Sequence, residues 1–458
     1  MLPAIEKFIG SLVKKARDHM RALALEIPFI GLTWFYFFVF WLPSHGDAGS
    51  IIGFVLALCA PFLILYLLFQ LTRGARWEYV WLKDTAKTEF CVLEIKLPEE
   101  LTQTPYAMEL VLRGIYQSGA GLTAYHNWRY GERPAVFSLE LGSDEGRVHF
   151  YIWMKKKYKV LVENQIYAHY PTVQVSEVPD YTLKMPFDPA VITMTGVEFT
   201  LQKPDPFPIV TYVEVGLDKP GTKEEHKHDP FASVLEYLGS LGPGEHAWIQ
   251  YIIRSHDQGF PCASSGVPTD PKTGKPVGIE EWAKIEVQKI NDTAKSKGAD
   301  GKEFIDFMKL SAVDRKHQEA IQMKLNKQLF EVGVRTLYIA KKDQAKSPAL
   351  TSLASIFRSF EHGSSGRGLN GLKPVFWLGP FNVPWHDFMD IRKHMLWDRY
   401  YDAYITRQFF YPPHKHPFIV LNTEELATLY HFPGSVVRTP TLQRLPSKRG
   451  EAPANLPI

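Results

Sequence analysis

Several stretches of the chain carry residue types whose spacing could do chemistry, and each lacks a part that the chemistry requires. The loop HGSSGRGLNGLKP (362–374) sets Gly366 and Gly371 five positions apart, the separation of phosphate-loop glycines. Leu372 stands where that motif needs its lysine, Pro374 follows Lys373, and no Ser or Thr is placed to hold magnesium. The segment therefore reads as a flexible connector. His226/His228 and His414/His416 are His-x-His pairs that would share a face on a strand and begin a metal site. They lie in polar or proline-rich stretches without a third ligand nearby, so surface histidines are expected. Cys262 in GFPCASSG has His256 close in sequence. A nucleophile also needs an oriented base and an oxyanion site, so a free thiol is expected.

Two basic segments could meet phosphate. MLWDRYYDAYITRQFFYPPHKHP (395–417) interleaves rings with Arg399, Arg407 and Lys415, as single-strand nucleic-acid sites do. An aromatic core edge capped by arginines uses the same residues and is the preferred reading. Lys155, Lys156, Lys157 and Lys159 open a helical segment, where cations oppose the helix dipole. A phosphate or lipid contact is one reading, a solvated face the preferred other. No catalytic residue, cofactor or metal site is expected, and the chain reads as non-enzymatic.

Composition sets the frame. With 458 residues, 45% hydrophobic and 22% charged, the chain can hold two or three domains. A net charge of +3 is too small to demand a polyanionic partner. Cys59, Cys91 and Cys262 are odd in number and far apart, which fits a reducing compartment.

The elements that must position these residues begin with two uncharged runs, IPFIGLTWFYFFVFWLP (27–43) and IIGFVLALCAPFLILYLLFQL (51–71), joined by SHGDAGS. Their lengths suit a transmembrane hairpin over 27–72, and a buried hairpin of a soluble domain is the alternative. Lys7, Lys14, Lys15, Arg17 and Arg21 precede the runs, Arg73, Arg76, Lys83 and Lys87 follow, and the link has no basic residue. The positive-inside rule then places both termini in the cytoplasm of a two-pass protein of the inner membrane. Residues 1–26 read as a basic amphipathic helix beside the bilayer.

The remainder reads as α+β. Strand 90–98, helix 105–119, strands 135–143 and 147–154, helix 155–171 and strand 172–178 give β-α-β-β-α-β, a ferredoxin-like (split βαβ) domain over 88–180. A second such domain is expected over 190–361. Its strands are 191–202, 207–216, 245–255 and 334–341, its helices 230–242, 301–331 and 350–360, and it carries a polar insert at 256–300. Segment 362–458 then carries the Gly-rich and aromatic stretch, a capped helix over 422–431, and an extended strap containing four prolines from Val436 onward.

In that last segment NTEELATLYHFPG (422–434), then TP, SKR and NLP as far as Pro457, resembles the region preceding the motor in membrane-anchored ATPases of the HerA/FtsK superfamily. These include coupling and motor proteins of conjugation and type IV secretion. The resemblance implies an anchor and accessory region, with Glu425, Leu426, Leu429, His431, Phe432 and Pro433 docking a hexameric phosphate-loop motor. No motor motif follows Pro457, so the motor is expected on a separate chain, the alternatives being an anchor half kept as a scaffold or a sequence cut before its motor. The implied function is a non-motor accessory subunit of a DNA or protein translocation apparatus. The implied partners are the bilayer, the separate ATPase and further copies of this chain, with any nucleic-acid contact indirect. The alternatives are single-strand binding at the membrane through Lys155–Lys157, Arg399 and Arg407, or a self-assembling scaffold.

Overall fold

The computed structural model describes residues 47–98, 101–117, 129, 133–185, 188, 191–218, 229–257, 260–271, 274–297, 303–305, 310–345, 349–361, 369–376, 391–411, 414–434 and 444–445. It divides into two units, 1–82 and 83–458.

The transmembrane hairpin is overturned. Among the described residues no helix is long and apolar enough to cross a membrane. The run 27–43 and the basic segment 1–26 lie outside the described residues. The run 51–71 belongs to α1 (Asp47–Lys87), which is 41 residues long. This helix takes up Asp47–Ser50 of the supposed external link and continues without a break through Arg73, Arg76 and Lys83. The chain therefore does not stop at the boundaries that a two-pass hairpin requires.

The second unit is α+β, built on β1 (Phe90–Pro98), α2 (Pro105–Ile115), β2 (Phe137–Asp144), β3 (Arg147–Lys155), α3 (Lys159–His169) and β4 (Gln174–Val178). There follow β5 (Ile192–Leu201), α4 (Ala232–Gly239), β6 (Glu245–His256), α5 (Ile279–Asp292), β7 (Lys295–Lys297), β8 (Glu303–Ile305), α6 (Ala312–Leu325), β9 (Leu329–Lys341), α7 (Ala349–Ser355) and β10 (Leu372–Val375). The last described elements are α8 (Ile391–Ile405), β11 (Ile419–Asn422), α9 (Thr423–Leu429) and β12 (Arg444–Leu445).

One sheet replaces the two that separate domains would form. Its order is β10-β5-β9-β6-β2-β3-β1-β12, with β4 also on β1 and β11 also on β9. Each half lays its strands in the order fourth, first, third, second: β4-β1-β3-β2 and β10-β5-β9-β6. The second strands of the two halves, β2 and β6, pair antiparallel along the whole of β2 and fuse the halves. β2 is buried at all but its last position, as a strand covered on both faces must be. Its hairpin to β3 turns through Glu145 (φ 52°) and Gly146 (φ 87°), the left-handed pair that a tight two-residue turn needs.

The apolar stripes of α2, α3, α4, α7 and α9 cover one face in a single core that includes Met108, Val162, Leu235, Leu353 and Leu426. The other face meets α8, whose Trp397, Tyr400, Tyr401 and Tyr404 pack with Tyr151, Trp248 and Leu337. Gly196 permits that approach: a Cβ there would stand 2.2 Å from the Tyr400 ring.

Three segments differ from expectation. FPIVTYVEVG (207–216) is bridge and turn rather than strand, because its backbone N–H groups bond to α9 side chains instead of a ladder. The long helix over 301–331 is replaced by β8 and the shorter α6, whose N-terminus Ser311 caps by accepting from the Asp314 N–H. The polar insert contains α5, which buries Trp282 with Cys262, Val277 and Phe418.

Candidate functional site: the buried C-terminal lock

Residues 419–433 tie the two halves together on the helix-covered face. β11 pairs with the first residues of β9, beyond the stretch of β9 that β5 occupies. Asn422 then ends the strand and caps α9. Its side chain accepts from the Glu425 N–H at 2.8 Å, while Glu425 accepts from the Asn422 N–H at 2.9 Å. This capping box satisfies two helix-end donors at once.

The same Glu425 carboxylate accepts from the Ile209 N–H at 2.9 Å and from Lys324 Nζ at 3.0 Å, with both charged side chains fully buried. Thr428 accepts from the Tyr212 N–H at 3.0 Å and donates to the Glu424 carbonyl. Beside it, Lys327 reaches Glu109 at 2.8 Å and Glu424 at 2.6 Å, and the Tyr212 hydroxyl donates to Glu109 at 2.7 Å. Burial pushes the Lys327 ammonium down, but its two carboxylate partners outweigh this and hold it above the usual range.

The residues after α9 complete the lock. The Tyr430 hydroxyl donates to the Tyr151 carbonyl of β3 at 3.2 Å. His431 places Nδ1 3.0 Å from the Ala427 carbonyl and Nε2 3.0 Å from Asp229, beside the Phe231 ring. Phe432 meets Phe150 and Tyr170 edge to face, at 5.4 and 4.8 Å. Segment 422–433 thus touches α2, β3 and Tyr170 of one half and Ile209, Tyr212, Asp229 and Phe231 of the other.

The expected docking residues are therefore core residues. Glu425, Leu426, Leu429, His431, Phe432 and Pro433 are all buried within this chain. They offer no surface to a partner in this fold, because their own chain already fills the space around them. The strap from Ser435 onward lies outside the described residues, apart from β12, which pairs parallel with Leu97 and Pro98 of β1.

The opposite face carries a transverse row of polar side chains. Cross-strand register aligns Glu94, Tyr151, Glu140, Gln250, Arg335 and Glu198 on six adjacent strands. Arg407, in the left-handed region at φ 51°, drops onto this row. It donates to both Glu140 oxygens at 3.0 Å and to both oxygens of Asp180. Burial opposes its charge, but the Glu140 and Asp180 carboxylates hold its guanidinium well above the ordinary value. Burial likewise pushes Asp180 up, yet Arg407 brings it below the usual carboxylate value.

The alternative nucleic-acid reading of 395–417 loses Arg407 to this buried pairing. Arg399 is exposed on α8. Lys155 is half-buried 4.0 Å from Asp84, Lys156 pairs with Glu89 at 2.9 Å, and exposed Lys157 lies over the Tyr158 ring at 4.8 Å. These three lysines with Thr88 and Glu89 line a shallow hollow of about 440 Å³.

Neither buried cysteine is set up as a nucleophile. Burial pushes the Cys91 thiol up to about 11 and the Cys262 thiol up to about 12, so both are protonated and poor nucleophiles at neutral pH. Among the described residues no three or more His, Cys, Asp or Glu side chains are grouped to hold a metal ion. Sequence reasoning missed Lys324, Asp205, Asp180 and Glu140. A signal existed for Glu140, a lone carboxylate inside the apolar run AVFSLELG.

Comparison with known families places residues 78–444 within one match. The chain belongs to the DUF8128 family, described as a domain of unknown function. The match begins inside α1 and ends at the first residue of β12, so both halves of the sheet and the whole lock lie within the family's domain. No curated protein matches the chain.

Proposed function

We propose that this chain is a non-catalytic assembly module, an accessory subunit that holds a separate phosphate-loop ATPase in a translocation apparatus of the conjugation or type IV secretion kind. The observation that carries the reading is the use of the candidate groups at 422–433 as structure. A segment resembling the approach to a motor is here packed as the lock of an α+β platform. The motor contact then falls to the strap after Gly434, where the basic SKR and the prolines suit an extended, charge-guided attachment. The bilayer contact and the inner-membrane location rested on the transmembrane hairpin and form no part of this proposal.

Self-association is the second element. In the first unit, Phe62 to Phe69 and Leu71 of α1 are exposed. An apolar run of that kind on a helix marks a contact surface. Sedimentation of the full chain against a variant with Leu63, Leu67 and Leu71 changed to Gln tests this. The proposal expects an oligomer that dissociates in the variant; a monomer in both removes self-association. Native purification followed by mass spectrometry tests the ATPase. Repeated recovery of the chain with no phosphate-loop ATPase removes that part.

A further inference from the structure

A second buried charge cluster lies under α9. Asp205, in the loop after β5, is 1% exposed, Lys324 of α6 is 1% exposed and Glu425 is fully buried. The ammonium of Lys324 lies 3.0 and 3.2 Å from the two oxygens of Glu425. Asp205 receives the Val420 N–H of β11 at 3.0 Å. The Ser264 hydroxyl and the Cys262 thiol flank it from the 260–271 segment. Across Cys262 stands Glu331 of β9, already paired with Arg254 and 3.1 Å from His256.

The charge count does not balance. Two carboxylates feel the charge of one ammonium, in contact from Glu425 and at longer range from Asp205, and all three side chains are sealed from water. A buried anion without its own cation is strongly disfavoured, and two carboxylates sharing one cation take up a proton between them. Burial raises the Glu425 carboxyl as well, but Glu425 has the 3.0 Å contact with Lys324 that acts against this, so Asp205 is the better holder of the proton. Burial raises the Asp205 carboxyl to about 6, against which Lys324 acts only in part.

We propose that Asp205, Lys324 and Glu425 form a proton-operated latch that holds the insert between β6 and β9 against the C-terminal lock. With the proton in place the cluster is neutral and closed. When Asp205 loses it to solvent, the uncompensated carboxylate is relieved by local opening that admits water beside α6 and the 260–271 segment. The sign follows from the raised carboxyl. The stability it contributes is fully present below its unfolded value near 4 and is lost as pH rises through about 6.

Hydrogen exchange of the full chain at pH 5 and pH 8, corrected for intrinsic rates, tests the latch. The expected result is faster exchange of α6 and 260–271 at pH 8, by about 10-fold, since the open carboxyl is already mostly ionised at pH 5 and about one of the two pH units between the open and closed carboxyl is left to lose. Asp205→Asn, which mimics the protonated group, should give equal protection at both pH values. Glu425→Gln, which leaves one carboxylate for one ammonium, should move the midpoint to lower pH. Equal protection of the native chain at both pH values would overturn the latch, as would an unchanged pH response in Asp205→Asn. Should Asp205→Asn not fold, an unchanged midpoint in Glu425→Gln overturns it.

Discussion

Arg407 and Glu140, 267 positions apart in the chain, meet through two hydrogen bonds of 3.0 Å each beneath α8. This pair fastens the C-terminal half of the chain to the strand at the centre of the sheet. It also accounts for the backbone at Arg407, where a non-glycine residue adopts φ 51° to aim its side chain inward.

Replacing Arg407 by Met should therefore be severe. Glu140 would keep a buried charge and Asp180 a half-buried one without a cation beside them, at a cost of about 3–5 kcal/mol. Arg407→Lys should recover only part of this, because an ammonium cannot make both bidentate contacts. Urea unfolding of the three proteins measures the order: native above Lys above Met.

The same site predicts an acid response. Burial works against the Asp180 charge, but Arg407 more than compensates and depresses the carboxyl in the folded state. Stability from a depressed carboxyl is present above its unfolded value near 4 and is lost as pH falls through the folded value. The gap in stability between the native chain and Arg407→Met should therefore narrow below about pH 4. Unfolding curves at pH 3 and pH 7 check it.

Gly196 carries a packing prediction. Ala at this position drives a methyl into the Tyr400 ring, only 2.2 Å from its nearest carbon. Overpacking of this kind costs about 1–3 kcal/mol. Tyr400→Leu in the same chain should return part of the loss by making room, which a double-mutant cycle would read as favourable coupling.

The lock gives a graded pair. Asn422→Ala removes the side-chain acceptor of the capping box and should cost about 1 kcal/mol. His431→Ala takes one hydrogen-bond partner each from the Ala427 carbonyl and from Asp229 and should cost about 1–3 kcal/mol. Hydrogen exchange should place the second loss at α9 and at Phe231–Gly239, where the histidine joins them.

The regular strands were legible because alternation and hairpin chemistry are local. FCVLEIKLP, RVHFYIWM and EHAWIQYIIRS lie in β1, β3 and β6, and the turn at Glu145–Gly146 was marked by its glycine. FPIVTYVEVG has strand-like residues but no strand, because tertiary hydrogen bonds from Ile209 and Tyr212 to α9 outweigh its propensity. β10 and β11 are four residues each, too short to show a period. The fusion of the halves through β2 and β6 depends on edge pairing that no local pattern encodes. The residues 422–433 stood out in the sequence for their capping box and HFP run, yet their burial depends on Lys324, Ile209 and Asp229 from distant segments.

Lock and attachment are separate parts of the chain in the proposed function, and truncation divides them. Two tagged chains, one full length and one ending at Gly434, would be purified natively from the source cells and their partners identified by mass spectrometry. The expected result is a phosphate-loop ATPase retained by the full chain and absent from the shorter one, with the two unfolding at similar temperatures. An ATPase retained equally by both chains, or by neither, would contradict the proposed function.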